Sequence, residues 1–265
     1  MQKLITILIL VLILFNGCEK PSDPQGDGKV IILMYHSITE GEPTNLYERS
    51  SADFESDLNY LISNNITVIG FNELEEMVKK RTVPRENMAI ITFDDCDITW
   101  LTNVKPLLLK YEMEATFFLW VSQIGTESGL TWEEIDLLSH YTDKDGDKPF
   151  IFASHTMNHH FLLDMKEQFS NAGEYSDFLD EELGGSKELI ESVTPSPIKA
   201  LSLPYGNGAG NQDIITAARR NGYSCIRTSV WDAFDVSTVD LYNLPSLPML
   251  DASESAIIGT YLGIE

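Results

Sequence analysis

The sequence predicts an α/β fold: a single-domain, closed or nearly closed (β/α) barrel of about seven parallel strands. Three observations lead there. Short apolar runs alternate with segments of helical periodicity from residue 29 almost to the end of the chain. Such β-then-α repetition implies parallel strands joined by crossover helices. The runs also lack the apolar–polar alternation of a sheet with one wet face, so both faces are covered. The 265 residues, 43% hydrophobic and 10% aromatic, are ample for a core of that size. An open doubly wound sheet is the alternative that periodicity leaves standing.

The first eighteen residues stand apart. Lys3 precedes an apolar run from Leu4 to Phe15, broken only by Thr6. It is too short to span a bilayer comfortably and has the length of a signal-peptide core. The run ends in LFNGCEK, where Gly17 and Cys18 match a lipobox, although Phe15 is not the small aliphatic residue usual before the pair. Residues 1–17 are therefore read as a lipoprotein signal peptide and residues 18–28, rich in Pro and Gly, as a tether. Residues 29–265 are the domain. An ordinary signal peptide cut nearby is the competing reading. The expectation is an exported monomer, anchored through a lipid on Cys18 to the periplasmic or outer face of a bacterial membrane.

Within the domain, KVIILMY is the first strand, and Phe54, Leu58, Leu61 and Ile62 recur at helical spacing. ITVIG is the next strand and FNELEEMVKK the next helix. MAIITF is a continuous buried strand, residues 104–111 are helical, and EATFFLWV is again a strand. Thr131 and Glu134 form a capping box at the start of a helix. PFIFAS is a strand, followed by a helix over roughly residues 173–193. KALSL, a helix over 211–221, YSCIRT and a last short helix complete the chain.

Either architecture puts functional residues at the carboxyl ends of strands. Those ends carry Tyr35 and His36; Asp94 and Asp95; His155 and His159; and Pro204, Tyr205 and Gly206. Three of the chain's five histidines fall at these places. His155 and His159 are four apart and would share a face on a helical turn. Two imidazoles and one carboxylate make a three-ligand metal site with a position left open. That set suits Zn²⁺, and Co²⁺, Ni²⁺ or Fe²⁺ would also bind. One acid of the Asp94–Asp95 pair would bind the metal and the other stay free as a base. A cation also offsets the repulsion between them. His160 should point elsewhere. The formal charge of −23 disfavours nucleic acid as a partner.

TFDD, SHTMNH and LPYG, in that order behind an N-terminal MYH, resemble the polysaccharide deacetylase family (carbohydrate esterase family four), of the exported poly-N-acetylglucosamine deacetylase type. The resemblance covers roughly residues 29–250. It implies a distorted (β/α) barrel, usually of seven strands, and a metal-dependent hydrolase that removes acetyl groups from an N-acetylated glycan: poly-N-acetylglucosamine, chitin or peptidoglycan. It implies Asp94 as general base, Asp95, His155 and His159 as metal ligands, a metal-bound water as nucleophile, and the Tyr205 N–H in the oxyanion hole.

The sequence departs from that pattern in three places. No histidine follows His160, so the family's late acid is missing, and His36 is the expected replacement. The family's arginine, two residues before the Pro-Tyr pair, is Ser202; Asp232 is a candidate remnant of its acidic partner, or a loop residue. Cys96 stands where the family has glycine, which implies a different backbone or a filled gap. Cys96 and Cys225 could pair, but two buried free thiols are the simpler expectation. Trp120, Trp132, Tyr205 and Trp231 are candidate sugar-stacking faces. Two other readings fit the departures: a glycan-binding barrel with weakened turnover, and an O-acetyl esterase, whose leaving alkoxide needs less help from an acid.

Overall fold

The structure, a computed structural model, describes residues 26–264. The expected signal segment, Cys18 and most of the tether lie outside the described residues. The central parallel strands are β1 (Val30–Tyr35), β5 (Met88–Asp94), β6 (Ala115–Leu119), β7 (Phe150–Ser154), β8 (Ala200–Ser202) and β9 (Cys225–Arg227). Two-residue strands flank them: β4 (Thr67–Val68) pairs with β5, and β11 (Leu247–Pro248) runs parallel to β1. The sheet is ordered β10-β1-β5-β6-β7-β8-β9, where β10 (Ala233–Phe234) is antiparallel to β1 and makes the sheet mixed. A parallel bridge between Arg227 and Leu244 leads from β9 toward β11, so backbone pairing links the two edges of the curl. β2 (Ser37–Thr39) and β3 (Glu48–Ser50) form a separate small sheet.

The curl sorts side chains by parity, because successive strand residues face opposite ways. Outward, Ile31, Leu33, Ile91, Phe93, Phe117, Phe152 and Leu201 join the large core under the helices. Those helices include α1 (Ser51–Ser63), α3 (Lys105–Tyr111), α4 (Trp132–Ser139), α5 (Ala172–Asp180), α6 (Ser186–Glu191), α7 (Gln212–Arg220) and α8 (Ala256–Leu262). Inward, Val30, Ile32, Ile90, Phe118, Ala153 and Cys225 pack with Leu74 of α2 (Phe71–Lys80) in a second, smaller core. Residues of that same inner parity nearer the carboxyl ends are Met34, Asp94, Ser202 and Arg227. The sheet thus carries an apolar floor and a polar upper rim.

Local chemistry fixes the helix starts. The Ser50 hydroxyl caps α1 by accepting from Asp53 N–H, and Thr131 with Glu134 forms the expected capping box on α4. The helix expected over 173–193 is interrupted: α5 and α6 are joined by a π-helical turn, Glu181–Gly185. Gly184 permits this turn, since a Cβ there would lie 2.5 Å from the Asn221 side-chain oxygen. A buried clamp ties the two ends of the domain. Arg49 grips the Asp57 carboxylate at 2.6 and 2.7 Å and the carbonyls of Leu250 and Ser253 at 2.8 and 2.9 Å. No helix among the described residues is long and apolar enough to cross a membrane.

Candidate active site

β5 ends by turning rather than by fraying. Asp94 still has strand geometry and points inward, 2% exposed, while Asp95 and Cys96 take φ of 83° and 68°. This left-handed step lets two neighbouring carboxylates approach one site. Cys96 therefore keeps the conformation that favours glycine instead of adopting another backbone, and its side chain fills a gap in the core. Burial pushes its thiol up to about 12, so it is not ionised at neutral pH. Cys96 and Cys225 are both free and buried. Thr156, His159 and Tyr205 also have positive φ (69°, 59° and 57°). Among the described residues, five of the eight non-glycine residues in that conformation thus belong to three strand-end loops. Strain of this kind concentrates where a site is over-determined by its surroundings.

The imidazoles converge without a helical turn. His155 continues β7, its N–H donating to the Leu119 carbonyl at 2.8 Å. Thr156 then reverses the chain, and its hydroxyl accepts from His159 N–H at 3.1 Å. The two Nε2 atoms lie 3.0 Å apart, and Asp95 Oδ1 lies 3.4 Å from that of His155 and 3.3 Å from that of His159. His155 Nδ1 faces the Ser202 carbonyl at 3.1 Å and the Ser202 hydroxyl at 2.5 Å. Donation of the Nδ1 proton to that carbonyl leaves an Nε2 lone pair aimed at the cluster. Trp120 stacks on His159, ring centroids 4.7 Å apart. Burial alone would raise the Asp95 pKa, but the two imidazoles outweigh it and hold the carboxyl well below the usual range.

These residues fit a divalent cation. Three ligand atoms of the right kind lie within 4.8 Å of one another. Asp95 Oδ1, Asp94 Oδ1 and Trp120 Nε1 are buried and without hydrogen-bond partners, and all three residues line the same cleft. Polar atoms left unpaired in one place are what an absent polar ligand would satisfy.

Asp94 has a partner that the sequence reading missed. Arg227 of β9, fully buried, donates from Nη2 to Asp94 Oδ2 and rests against Met34 and Ser246. Its guanidinium lies 5.2 Å from the centre of the Phe118 ring. Arg227 is the register partner of Ser202 on β8. The arginine absent from position 202 is thus matched by one at the same height on the next strand. Asp232 is exposed, accepts from Ala233 N–H at 2.8 Å and takes no part in the pair, so it is a loop residue.

The other expected residues line the same cleft of about 550 Å³, including His36 and Tyr205. His36 Nε2 lies 4.0 Å from Asp95 Oδ2. Burial lowers the His36 pKa, opposed by Asp94 and Asp95. Tyr205 sits on the turn Pro204–Gly206, half exposed, with Phe161 stacked on it at 3.9 Å. Leu46, Tyr47 and Trp231, each about half exposed, also line the cleft. Trp132 does not; it packs on the core beneath α4. His160 turns away toward Glu182 and Phe178.

Comparison with known proteins bears on the family and the fold. The family model described as polysaccharide deacetylase matches residues 81–226. YxkH of Bacillus subtilis, a protein named after the same family, is 27% identical over 205 residues, 77% of this chain and 64% of that protein. The poly-β-1,6-N-acetyl-D-glucosamine N-deacetylase of Staphylococcus epidermidis is 27% identical over 217 residues, 72% of this chain and 69% of the enzyme. The chain thus spans a little under two thirds of YxkH and somewhat more of the staphylococcal enzyme. In fold it is similar to the Streptococcus pyogenes deacetylase PplD (TM-score 0.74, 22% identity, 88% of this chain and 98% of that one). It is also similar to IcaB from Ammonifex degensii (TM-score 0.71, 20% identity, 90% and 98%).

Proposed function

Because the chain belongs to the polysaccharide deacetylase family, we propose that it hydrolyses acetamido groups of an N-acetylated polysaccharide. Poly-N-acetylglucosamine heads the candidates, since staphylococcal relatives are named for it; chitin-like and peptidoglycan glycans are the others. The observation that carries this reading is the pairing of a buried, arginine-held Asp94 with the Asp95–His155–His159 cluster in one aromatic-rimmed cleft.

Asp95, His155 and His159 would hold a divalent cation, Zn²⁺ being the expected one. Such an ion, when bound, acidifies a water and polarises the acetyl carbonyl. Asp94 is the general base: Arg227 occupies its Oδ2 and leaves Oδ1 free to take the proton of the attacking water. The Tyr205 N–H stabilises the developing oxyanion. His36 returns a proton to the leaving amine. Tyr47, Tyr205 and Trp231 offer faces on which sugar rings can lie. The protein acts as an exported monomer, moored by a lipid on Cys18.

The test is acetate release from N-acetylglucosamine oligomers by the Zn²⁺-loaded protein, abolished by a chelator and by Asp94→Asn. Metal-loaded protein that releases no acetate from any N-acetylated glycan would overturn the reading. Acetylated xylan belongs in the same panel. The absence of a histidine after His160 keeps an ester in view, since its leaving group needs less acid assistance. Faster release from xylan would make the protein an O-acetyl esterase.

A further inference from the structure

The two residues before His159 are both tied to one buried acid. Glu182, 2% exposed, sits on the π-helical turn between α5 and α6. Its Oε2 accepts from Asn158 N–H at 3.0 Å and its Oε1 from Asn158 Nδ2 at 2.7 Å. Its backbone carbonyl accepts from Met157 N–H at 3.1 Å. Asn158 is held from the other side too, its Oδ1 accepting from the Ser122 hydroxyl at 2.7 Å. Ser122 N–H donates to the Met157 carbonyl at 3.0 Å.

Burying a carboxylate is costly. Among the described residues the one ion-pair partner of Glu182 is the half-exposed His160 imidazole at 3.9 Å, charged only when protonated, so no strong ion pair offsets that cost. The π-helical turn that carries Glu182 is itself of a kind frequent at functional sites. What Glu182 holds is specific. His155 is aimed by its own bonds to Ser202, but among the described residues no hydrogen bond reaches His159 Nδ1. The aim of His159 depends on its backbone, its ring contacts with Trp120 and Tyr205, both at 4.7 Å, and the loop before it. Glu182 grips that loop one residue away.

We infer that Glu182 is a positioning residue: through Asn158 it sets the direction of the His159 imidazole and thereby the affinity of the site for a divalent cation. The inference rests on the metal-site reading above. Outer-shell partners of metal-binding histidines are typically worth 10–100-fold in affinity.

Zn²⁺ affinity of the full chain, measured by competition with a chelator, tests it, counting only binding that His155→Ala removes. In Glu182→Gln an amide donor meets the Asn158 amide donor or the Asn158 backbone N–H, and one bond is lost either way. Zn²⁺ binding is expected to weaken by about 10–100-fold, and the visible spectrum of the Co²⁺-loaded protein to change. The reciprocal pair Glu182→Gln with Asn158→Asp restores both bonds at unchanged net charge and is expected to recover affinity to within about threefold of wild type. Asn158→Ala, which leaves Glu182 and the backbone bond in place, is the milder variant and decides the matter should Glu182→Gln not fold. It is expected to lose at least about fivefold. A purely structural brace would lower the unfolding temperature of the metal-free protein and leave Zn²⁺ affinity unchanged. That result, or a reciprocal pair as weak as the single variant, overturns the inference. Absence of His155-dependent Zn²⁺ binding in the wild type would instead overturn the metal-site reading.

Discussion

Arg227 and Ser202, register partners on neighbouring strands, serve two different groups of the site. The guanidinium reaches Asp94, while the serine hydroxyl and carbonyl face His155 Nδ1. An arginine at 202 would keep the backbone carbonyl that takes that Nδ1 proton but lose the hydroxyl packed beside it. Removing Arg227 strands a buried carboxylate, so Arg227→Met is expected to cost about 3–5 kcal/mol in urea unfolding. It should also lower acetate release at least about 100-fold, because the base loses its orientation. The double variant Ser202→Arg with Arg227→Ser should regain part of that stability but bind Zn²⁺ more weakly than wild type. Single-strand motif reading could not find Arg227, since it is 133 residues from Asp94 in the chain and only the β8–β9 register brings it level with Ser202. The acid pair and the two histidines were legible because each falls where an apolar run stops. The loop that joins the histidines was not: spacing of four is shared by helices and by left-handed turns, and only Thr156 and His159 in positive φ separate the two.

Among the elements, long apolar strands and amphipathic helices were readable: β1, β6, β7, β8 and β9 fall inside the expected runs, and β5 runs one residue past its own, to Asp94. The two-residue strands β10 and β11 were not, because pairs of residues carry no period and owe their pairing to β1 alone. ITVIG shrinks to Thr67–Val68 for a similar reason: β5 needs a neighbour on that side only in its first half. The start of β6 is under electrostatic stress. Glu114 precedes it, half buried, and burial together with Glu73 and Asp147 raises its pKa to about 7. The folded state therefore binds its proton more tightly than the unfolded chain. The stability this contributes is complete below about pH 4.5 and lost as the pH rises through about 7. Glu114→Gln should thus unfold like wild type at about pH 4 and be more stable at about pH 8, by about 1–2 kcal/mol once solvent screening is allowed for. Equal melting-temperature gaps at both values would refute this.

For the whole molecule, three strand-end loops and β1 meet over a sheet whose floor is apolar and fixed. A cation held by Asp95, His155 and His159 links the β5 loop to the β7 loop and should stabilise the fold by mass action. Zn²⁺ at about a hundred times its dissociation constant is expected to add about 2.7 kcal/mol. Calorimetry should find that gain absent in His155→Ala and reversed by chelator. The same architecture fixes which way the cleft faces. Gly28 N–H bonds the Pro84 carbonyl, and the Lys29 carbonyl accepts from Met88 N–H, so the chain enters beneath the sheet, at the amino ends of β1 and β5. The cleft opens at the opposite ends of those strands, and β5, seven residues long, sets them about 23 Å apart. Were the chain moored through Cys18 as proposed, its attachment would come at the end of the domain away from the cleft, and the cleft mouth would be left clear for a long glycan to lie across.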